Sequence, residues 1–316
     1  MILDILRKDS GFFVLAIVLI LARLFTTGFF NSYNIAIILT MSAILGFLAL
    51  GETLVIFTRG FDLSVGNVAS MSTVIIAASM LHLHESLPPG LVIAIAITAA
   101  MVGGALIGAI NGLAVTYMKV PPFIATMGGM WIAYGFAFLI LRGVPTKLYV
   151  ASFKILGKSK ILFLPIPFFT LLVFIFIVYL VFKHTALGPK VYASGGNTYA
   201  AYLSGIKTNK VRFMAYVASG VFAAIGGVFL SAFTGTGFPR SAEGYELLAI
   251  ASVVLGGVSL FGGAGNLWGP LAGVITLQAL DKIIVYRGIS PFLSQMVVGT
   301  ILLVAVFLTT RQKGIQ

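Results

Sequence analysis

Long apolar stretches alternate with short polar segments along almost the whole chain. The hydrocarbon core of a bilayer is about 30 Å thick, so a helix needs about 20 apolar residues to cross it. About ten stretches meet this requirement, and we expect an all-α polytopic membrane protein with one transmembrane domain over residues 1–316. The predicted spans are roughly 11–29, 33–57, 62–83, 90–117, 121–142, 164–182, 211–233, 245–261, 265–285 and 290–309.

Composition supports the membrane assignment and excludes several other classes. Hydrophobic residues make up 59% of the chain and charged residues 9%, and the mean hydropathy is +1.10. No soluble fold could cover this much apolar surface. The chain has no cysteine, and its three histidines lack metal-ligand spacing, so we expect no metal. The net charge of +12 comes from basic residues between apolar segments, which favours loop charges over nucleic-acid binding.

Two polar connections, 143–163 and 183–210, are longer than the others. About five predicted spans lie on each side of the first connection, which predicts two halves of opposite orientation, at about 11–142 and 164–309. Inverted repeats of this kind are typical of transporters. If both termini are cytoplasmic, the cytoplasmic connections carry more Lys and Arg than the connections on the other side. Cytoplasmic connections are normally the more basic ones, so we expect this orientation.

Polar residues inside or between the apolar stretches are candidates for function. Glu52 lies within a span, where a carboxylate is costly unless it is paired or hydrated. The alternatives are an ion pair with Arg59 or a shallow position. Glycines bracket Asp62 and Ser64, which predicts a helix break with an Asp or Ser N-cap on the next helix. The break is either a cap at the membrane face or a discontinuity that lines a cavity.

The fourth span carries glycines at positions 104, 108 and 112, which fall on one helix face. This spacing predicts a groove for a neighbouring helix. Packing is therefore the main interpretation, and Asn111 either hydrogen-bonds across that contact or lines a path. Glu243 and Glu246 flank the start of the eighth span, where a helix cap with a favourable dipole interaction accounts for them.

Segment 183–210 is predicted to follow a span that ends at Gly188–Pro189. A short Gly-bounded helix then carries Tyr199, Tyr202, Leu203 and Ile206 on one side. Such a helix can pack on its own protein, lie on lipid or dock a partner.

The connection at 142–160 is basic and lies on the predicted outer face. It is either an interfacial helix or a docking surface for an acidic protein. In the first case its apolar residues would face lipid, namely Leu148, Val150, Phe153 and Leu156. Residues 157–159 (GKS) resemble the end of a phosphate-binding loop, but Ser152 replaces the required glycine, so we expect no nucleotide site there.

Four motifs in this chain resemble those of bacterial sugar-import ABC permeases of the ribose, xylose and arabinose type. They are residues 60–66 (GFDLSVG), 120–128 (VPPFIATMG), 195–206 (GGNTYAAYLSGI) and 244–263 (GYELLAIASVVLGGVSLFGG). The resemblance implies a type II ABC importer-like fold in the bacterial inner membrane and a permease that pairs with a second permease subunit, identical or paralogous. It also implies a cytoplasmic ATPase that binds ATP and Mg²⁺, and a periplasmic or lipid-anchored substrate-binding protein.

The resemblance further implies that a coupling segment contacts the ATPase. Its residues would be Gly196, Asn197, Ala200, Leu203, Ser204, Gly205 and Ile206. We expect the translocation path or gate to include Glu52, Asp62, Ser64, Asn67, Asn111, Thr126 and Glu246.

The expected function is import of a monosaccharide, ribose-like, or of a related small polyol by alternating access. The chain itself would not be an enzyme and would hold no cofactor. Permeases of the same superfamily for autoinducer-2, rhamnose, branched-chain amino acids or nucleosides are the alternatives. An ion channel would need a repeated filter-like loop and a membrane glycosyltransferase would need acidic metal-binding motifs, and the sequence contains neither.

Overall fold

Helices account for most of the computed structural model, which describes residues 10–26, 28–288, 290, 292–293, 296 and 299–300. In chain order the helices are α1 (Ser10–Phe25), α2 (Ser32–Phe57), α3 (Val65–Leu83), α4 (Pro89–Thr116), α5 (Pro122–Leu141), α6 (Ile155–Lys158), α7 (Ile166–His184), α8 (Leu187–Gly196), α9 (Thr198–Leu203), α10 (Thr208–Thr234), α11 (Tyr245–Leu255) and α12 (Gly269–Tyr286). A 3-10 turn covers Ala151–Lys154. Two small antiparallel ribbons pair β1 (Thr146–Lys147) with β4 (Thr236–Gly237), and β2 (Lys160–Ile161) with β3 (Leu164–Pro165).

Within the described residues, 7 helices are long and apolar enough to cross a membrane, namely α2, α3, α4, α5, α7, α10 and α12. Helices α1 and α11 are shorter and also apolar. Each of these helices overlaps a predicted span. The predicted span at 290–309 and both chain termini lie largely outside the described residues. The chain is a polytopic helical membrane protein, as the apolar pattern predicts.

The predicted span over 245–261 is too long. Helix α11 has 11 residues, so its length of about 16 Å is about half of the hydrocarbon core. The helix stops at Gly256, which packs directly on Gly269. The contact is so close that a Cβ on Gly256 would lie 2.3 Å from the carbonyl carbon of Gly269. Gly257 then turns the chain with a φ of +83°. Two consecutive glycines thus end a helix within a run that stays apolar.

Helix α10 is the central helix, because it packs against α2, α3 and α4. The predicted glycine groove of α4 forms half of this contact. A Cβ on Gly108 would lie 2.3 Å from the Tyr216 carbonyl oxygen, and one on Gly220 would lie 2.1 Å from the Gly104 carbonyl oxygen. The groove prediction is therefore confirmed. The contact joins helices from both predicted halves into one core, and their inverted relation stays a prediction.

Helix α2 is buried continuously from Ser42 to Phe57. The Phe47 ring stacks on Phe229 of α10 with ring centroids 5.4 Å apart, and it meets Phe174 of α7 edge-on at 5.7 Å. A helix that is apolar on all sides is normally enclosed by other elements. Enclosure of α2 places Glu52, near its C-terminal end, inside the protein.

The connection at 142–160 folds back onto the protein. Leu148, Val150 and Phe153 are buried in the main core, and Leu156 packs against it. The Leu148 N–H donates to the Gly235 carbonyl oxygen at 3.0 Å. The predicted interfacial helix with these side chains in lipid is therefore wrong. The β1–β4 ribbon holds the connection against the protein, where its apolar side chains are removed from solvent.

Segment 183–210 forms two helices, α8 and α9. Gly188 and Pro189 lie in the first turn of α8, so the prediction that they end the preceding span is wrong. Proline is tolerated there because first-turn N–H groups have no partner within the helix. The short helix predicted after them is present as α9. It starts where the Asn197 side-chain oxygen accepts the Ala200 N–H at 3.0 Å.

Candidate functional site

The connection between α2 and α3 is buried inside the protein. Thr58, Asp62 and Ser64 are all buried, although the chain between Phe57 and Val65 is not helical. The break is therefore not a cap at the protein surface. Its backbone groups must find partners within the protein, since buried N–H and C=O groups are costly when unpaired.

Glu52 provides one of these partners from α2. Its side chain is fully buried, and Oε1 accepts the N–H of Asp62 at 3.2 Å. Arg59 has a left-handed backbone, with φ of 67°, and its side chain is exposed. The predicted ion pair between Glu52 and Arg59 is therefore wrong, while the depth of Glu52 in the membrane stays a prediction.

Asp62 gathers the next group of contacts. Its Oδ1 accepts the Ser64 N–H at 3.0 Å and the Ser64 hydroxyl at 2.6 Å. Asn111 of α4 donates from Nδ2 to Asp62 Oδ1 at 3.3 Å and to Ser64 Oγ at 2.9 Å. Ser64 is the N-cap residue of α3, but its side chain accepts no helix N–H. The predicted side-chain cap is thus replaced by a hydrogen-bonded cluster that Asn111 joins to α4.

Helix α10 adds two residues that the sequence analysis did not select. The Tyr216 hydroxyl donates to the Phe61 carbonyl oxygen at 3.3 Å. The Tyr216 hydroxyl fits only because residue 60 is glycine, since a Cβ on Gly60 would lie 2.5 Å from the hydroxyl oxygen. Ser219, which is fully buried, packs its Cα 2.9 Å from the Cβ position of Gly51. Tyr216 lies one helical turn before Gly220, and Ser219 packs on α2, but neither residue type marks a site in a membrane helix.

The cluster contains more acceptors than donors. Within the described chain no Lys, Arg or His forms an ion pair with Glu52 or Asp62. Glu52 Oε2 and Asn111 Oδ1 are buried oxygens without a hydrogen-bond partner, and the Ser219 hydroxyl lies near enough to Asp62 to donate to its carboxylate. Leaving such atoms unpaired in the interior is costly. If this part of the protein opens to water during transport, water or a hydroxyl-bearing solute could donate hydrogen bonds to these oxygens.

Three other candidate residues lie outside this cluster. Asn67 donates from Nδ2 to the Met130 carbonyl oxygen at 3.4 Å, which joins α3 to α5. Thr126 is buried, but its hydroxyl donates to the Pro122 carbonyl oxygen within its own helix. Glu246 packs against α3, since its Oε2 lies 2.1 Å from the Cβ position of Gly66. The structure therefore unites Glu52, Asp62, Ser64 and Asn111 and separates Asn67, Thr126 and Glu246 from them.

Helix α9 exposes most of its apolar surface. Tyr199, Tyr202 and Leu203 are 72%, 66% and 67% exposed. Gly205 ends the helix with a φ of +81°, and the Ile206 N–H donates to the Ala201 carbonyl oxygen at 3.0 Å. This is a common helix ending that favours glycine. Ala200 and Ser204 complete it, because the Ser204 N–H donates to the Ala200 carbonyl oxygen at 3.0 Å.

Helix α8 packs under the C-terminal end of α2. A Cβ on Gly195 would lie 1.8 Å from the Phe57 carbonyl oxygen, and Gly263 donates its N–H to that same oxygen at 3.0 Å. A Cβ on Gly196 would lie 4.0 Å from Gly263 Cα. The Tyr192 ring lies 4.7 Å from the Phe57 ring. The segment before α9 is therefore in direct contact with the helix that carries Glu52.

In the part of the chain that the structure describes, no group of three or more His, Cys, Asp and Glu side chains could hold a metal ion. The arrangement is that of a helical membrane protein with a buried helix break. The family described as branched-chain amino acid transport system / permease component matches residues 34–306. The chain belongs to this permease family.

The permease is similar to named sugar permeases over nearly its whole length. The ribose import permease protein RbsC of Bacillus subtilis (strain 168) is 34% identical over 312 residues, which cover 98% of this chain and 95% of the relative. RbsC of Escherichia coli (strain K12) is 31% identical over the same coverage.

The galactose/methyl galactoside import permease protein MglC of Haemophilus influenzae is 33% identical to the permease over 315 residues, 96% of this chain and 94% of the relative. No solved structure matches the permease. The predicted resemblance to sugar-import permeases is confirmed by these relatives.

Proposed function

We propose that this permease is the transmembrane subunit of an ATP-driven importer that moves a monosaccharide, or a related small polyol, across the bacterial inner membrane. The observation that carries this proposal is the full-length similarity to permeases named for ribose and galactose import. The cluster around Asp62 adds support, because a hydroxyl-rich solute needs hydrogen-bonding groups inside an otherwise apolar protein. Alternating access would open this cluster toward each side in turn.

The complete architecture would have ten transmembrane helices in two inverted halves, in a type II importer-like arrangement with both termini in the cytoplasm. The apolar run at 290–309 would supply the last span. A second permease subunit, identical or paralogous, would complete the path. Support comes from the short helix α11, since discontinuous helices near the middle of the membrane are typical of transporters.

We assign α9 to the cytoplasmic ATPase, which would bind ATP and Mg²⁺ on a separate chain. The strong exposure of Tyr199, Tyr202 and Leu203 argues against packing on the same subunit. A compact apolar patch on a polar face is typical of a protein contact. The coupling segment from Gly196 to Ile206 would contact the ATPase, and a substrate-binding protein would deliver the solute on the opposite side.

Uptake by the complete importer tests this function. The permease is reconstituted in proteoliposomes with its ATPase and its binding protein, and uptake of radiolabelled ribose, galactose, rhamnose, leucine and a nucleoside is measured with and without ATP. We expect ATP-dependent uptake of at least one sugar. Vesicles that contain the permease alone are the control. Uptake of leucine or the nucleoside without any sugar would overturn the proposed substrate class.

A further inference from the structure

The chain between α10 and α11 runs beside α3 without forming a helix. The Phe238 N–H donates to Thr73 Oγ1 at 3.2 Å, and the Ala242 N–H donates to Ser70 Oγ at 2.9 Å. Residues 239–244 form consecutive turns between these anchors and α11. The segment therefore follows α3 from Thr73 back toward its first turn.

These turns lie near the middle of the transmembrane helices. Met71, between the two anchoring residues of α3, approaches Gly103, because a Cβ on Gly103 would lie 3.4 Å from Met71 Cε. Gly103 is at the centre of α4, which has 28 residues. Arg240 lies between Phe238 and Ala242 and contacts Tyr134, which is about two helical turns before the end of α5 at Leu141. Its backbone therefore lies within the length of the membrane-spanning helices.

Charged side chains at this depth are exposed on the surface of the single subunit. The side chains of Arg240 and Glu243 are 53% and 61% exposed, and Arg240 Nε lies 3.6 Å from Glu243 Oε2. Arg240 also donates from Nη2 to the Tyr134 hydroxyl at 3.1 Å. Charges in the middle of a membrane face a water-filled cavity or another protein surface, since contact with lipid is too costly. This surface is therefore directed away from lipid.

An exposed aromatic side chain borders the charged pair. Trp131 is 60% exposed, and its ring lies 5.4 Å from the ring of Tyr134. The group thus combines a guanidinium donor, a carboxylate acceptor, a phenol that can do both, and a flat apolar surface. Sugars present hydroxyl groups on their edges and C–H groups on their faces, so this combination matches their chemistry.

We propose that Trp131, Tyr134, Arg240 and Glu243 form a solute-contacting site on the water-filled path, where they bind the hydroxyl groups of the transported sugar. The site rests on the proposed function and adds a second place on the path, besides the cluster around Asp62, where the permease contacts its substrate. When no sugar is present, Arg240 and Glu243 pair with each other. Sequence reasoning assigned Glu243 to a helix cap, because the apolar runs on either side hide the position of the turns.

Thiol labelling tests whether Arg240 and Glu243 are accessible to water. The chain has no cysteine, so label found on the permease band, separated from the other subunits of the importer, reports on Arg240→Cys or Glu243→Cys alone. We expect a charged, membrane-impermeant methanethiosulfonate to label both at least about tenfold faster than Val102→Cys, since the thiolate reacts and needs water. Val102 is the matched control, because it is exposed next to Gly103 at the same depth. Saturating sugar should slow the labelling. Equal labelling at all three positions would overturn the site.

Uptake kinetics test whether the surface binds sugar. We expect Glu243→Gln and Arg240→Gln to raise the KM for uptake about tenfold or more, because each loses a charge-assisted hydrogen bond. Glu85→Gln is the control, since Glu85 is a strongly exposed carboxylate outside the site.

An unchanged KM in both variants would overturn the site and leave the proposed function intact. Loss of subunit assembly with an unchanged KM would assign the two residues to a subunit contact instead. Absence of sugar uptake by the wild-type importer would overturn the proposed function itself. Trp131→Phe keeps an aromatic surface and should retain more affinity than Trp131→Ala.

Discussion

At the scale of single residues, Glu52 and Asp62 are joined through the main chain and not through a cation. The N–H of Asp62 points to one oxygen of Glu52, while Asp62 itself fixes Ser64 and Asn111. The glutamate is therefore an acceptor for the backbone of the helix break. Only one of its two oxygens has this role, because Oε2 has no partner.

This geometry predicts different outcomes for two substitutions of Glu52. Glu52→Gln keeps an amide oxygen for the Asp62 N–H, so we expect normal assembly and substantial uptake. Glu52→Met leaves that buried N–H without an acceptor, which should cost about 1–3 kcal/mol of stability. Thermal unfolding of the purified permease and sugar uptake are the measurements.

Thr53→Val is the matched control for the Glu52 variants, because the Thr53 hydroxyl donates only to the Ala49 carbonyl oxygen in its own helix. Equal stability of Glu52→Met and the wild type would show that the Asp62 N–H does not depend on this carboxylate. Loss of uptake in Glu52→Gln with normal folding would instead assign the charge itself to transport.

Sequence alone could identify the acidic and amide members of this site, because each is conspicuous in an apolar run. It could not identify Tyr216 and Ser219, whose residue types are common in membrane helices. Nor could it give the partners of Glu52. Arg59 was the natural candidate by spacing on a helix, but the helix ends before it and the left-handed turn directs its side chain outward.

At the scale of elements, the contact between α4 and α10 depends on glycine. Gly108→Ala should destabilise the folded permease by about 1–3 kcal/mol, since the added methyl group would overlap the Tyr216 carbonyl oxygen and separate the helices. Folded yield in detergent and the unfolding temperature measure the effect.

Gly90→Ala in the same helix provides the comparison for Gly108→Ala. A Cβ at Gly90 meets nothing within 4 Å, and alanine is the better helix former by about 1 kcal/mol. We therefore expect no loss of stability there. Similar destabilisation in both variants would contradict the close-contact explanation.

Helix α10 also touches both α9 and the helix break. Arg212 donates from Nη2 to Thr198 Oγ1 at 2.7 Å, and one turn further Tyr216 donates to the Phe61 carbonyl oxygen. Thr198→Val removes the acceptor of Arg212 without a large change of shape. If movement of α9 is transmitted to the helix break between α2 and α3 through this contact, the number of sugar molecules moved per ATP should fall about tenfold in Thr198→Val.

ATPase capture should be unchanged in Thr198→Val, which separates coupling from docking. Thr170→Val is the control, because its hydroxyl donates only within α7. A proportional fall in uptake and ATP hydrolysis would contradict a role for Thr198 in coupling, and so would wild-type coupling in this variant.

The apolar pattern predicted most helices to within a few residues, because membrane helices are long and continuously apolar. It failed where tertiary contacts decide the course of the chain. The end of α11 depends on Gly256 meeting Gly269, and the apolar residues of 142–160 prefer the core to a membrane surface. Hydropathy reports neither contact.

At the scale of the whole molecule, α9 is the part that we expect to meet the ATPase. Leu203→Glu should weaken capture of the ATPase at least about tenfold, because a charge would enter an apolar contact. Leu162→Glu is a matched control, since Leu162 is also strongly exposed but lies in the connection before β3. Pull-down from detergent measures both. Equal capture in the two variants would remove α9 from the docking surface.

The turns at 239–244 have a consequence for how the permease is produced. At the proposed depth, a newly inserted subunit without a partner would present a guanidinium and a carboxylate to hydrocarbon. Such a chain is unstable in the membrane until another protein surface or water covers the charges. Its lifetime in the cell would then depend on how soon it meets the proposed second subunit, because unassembled chains would be degraded.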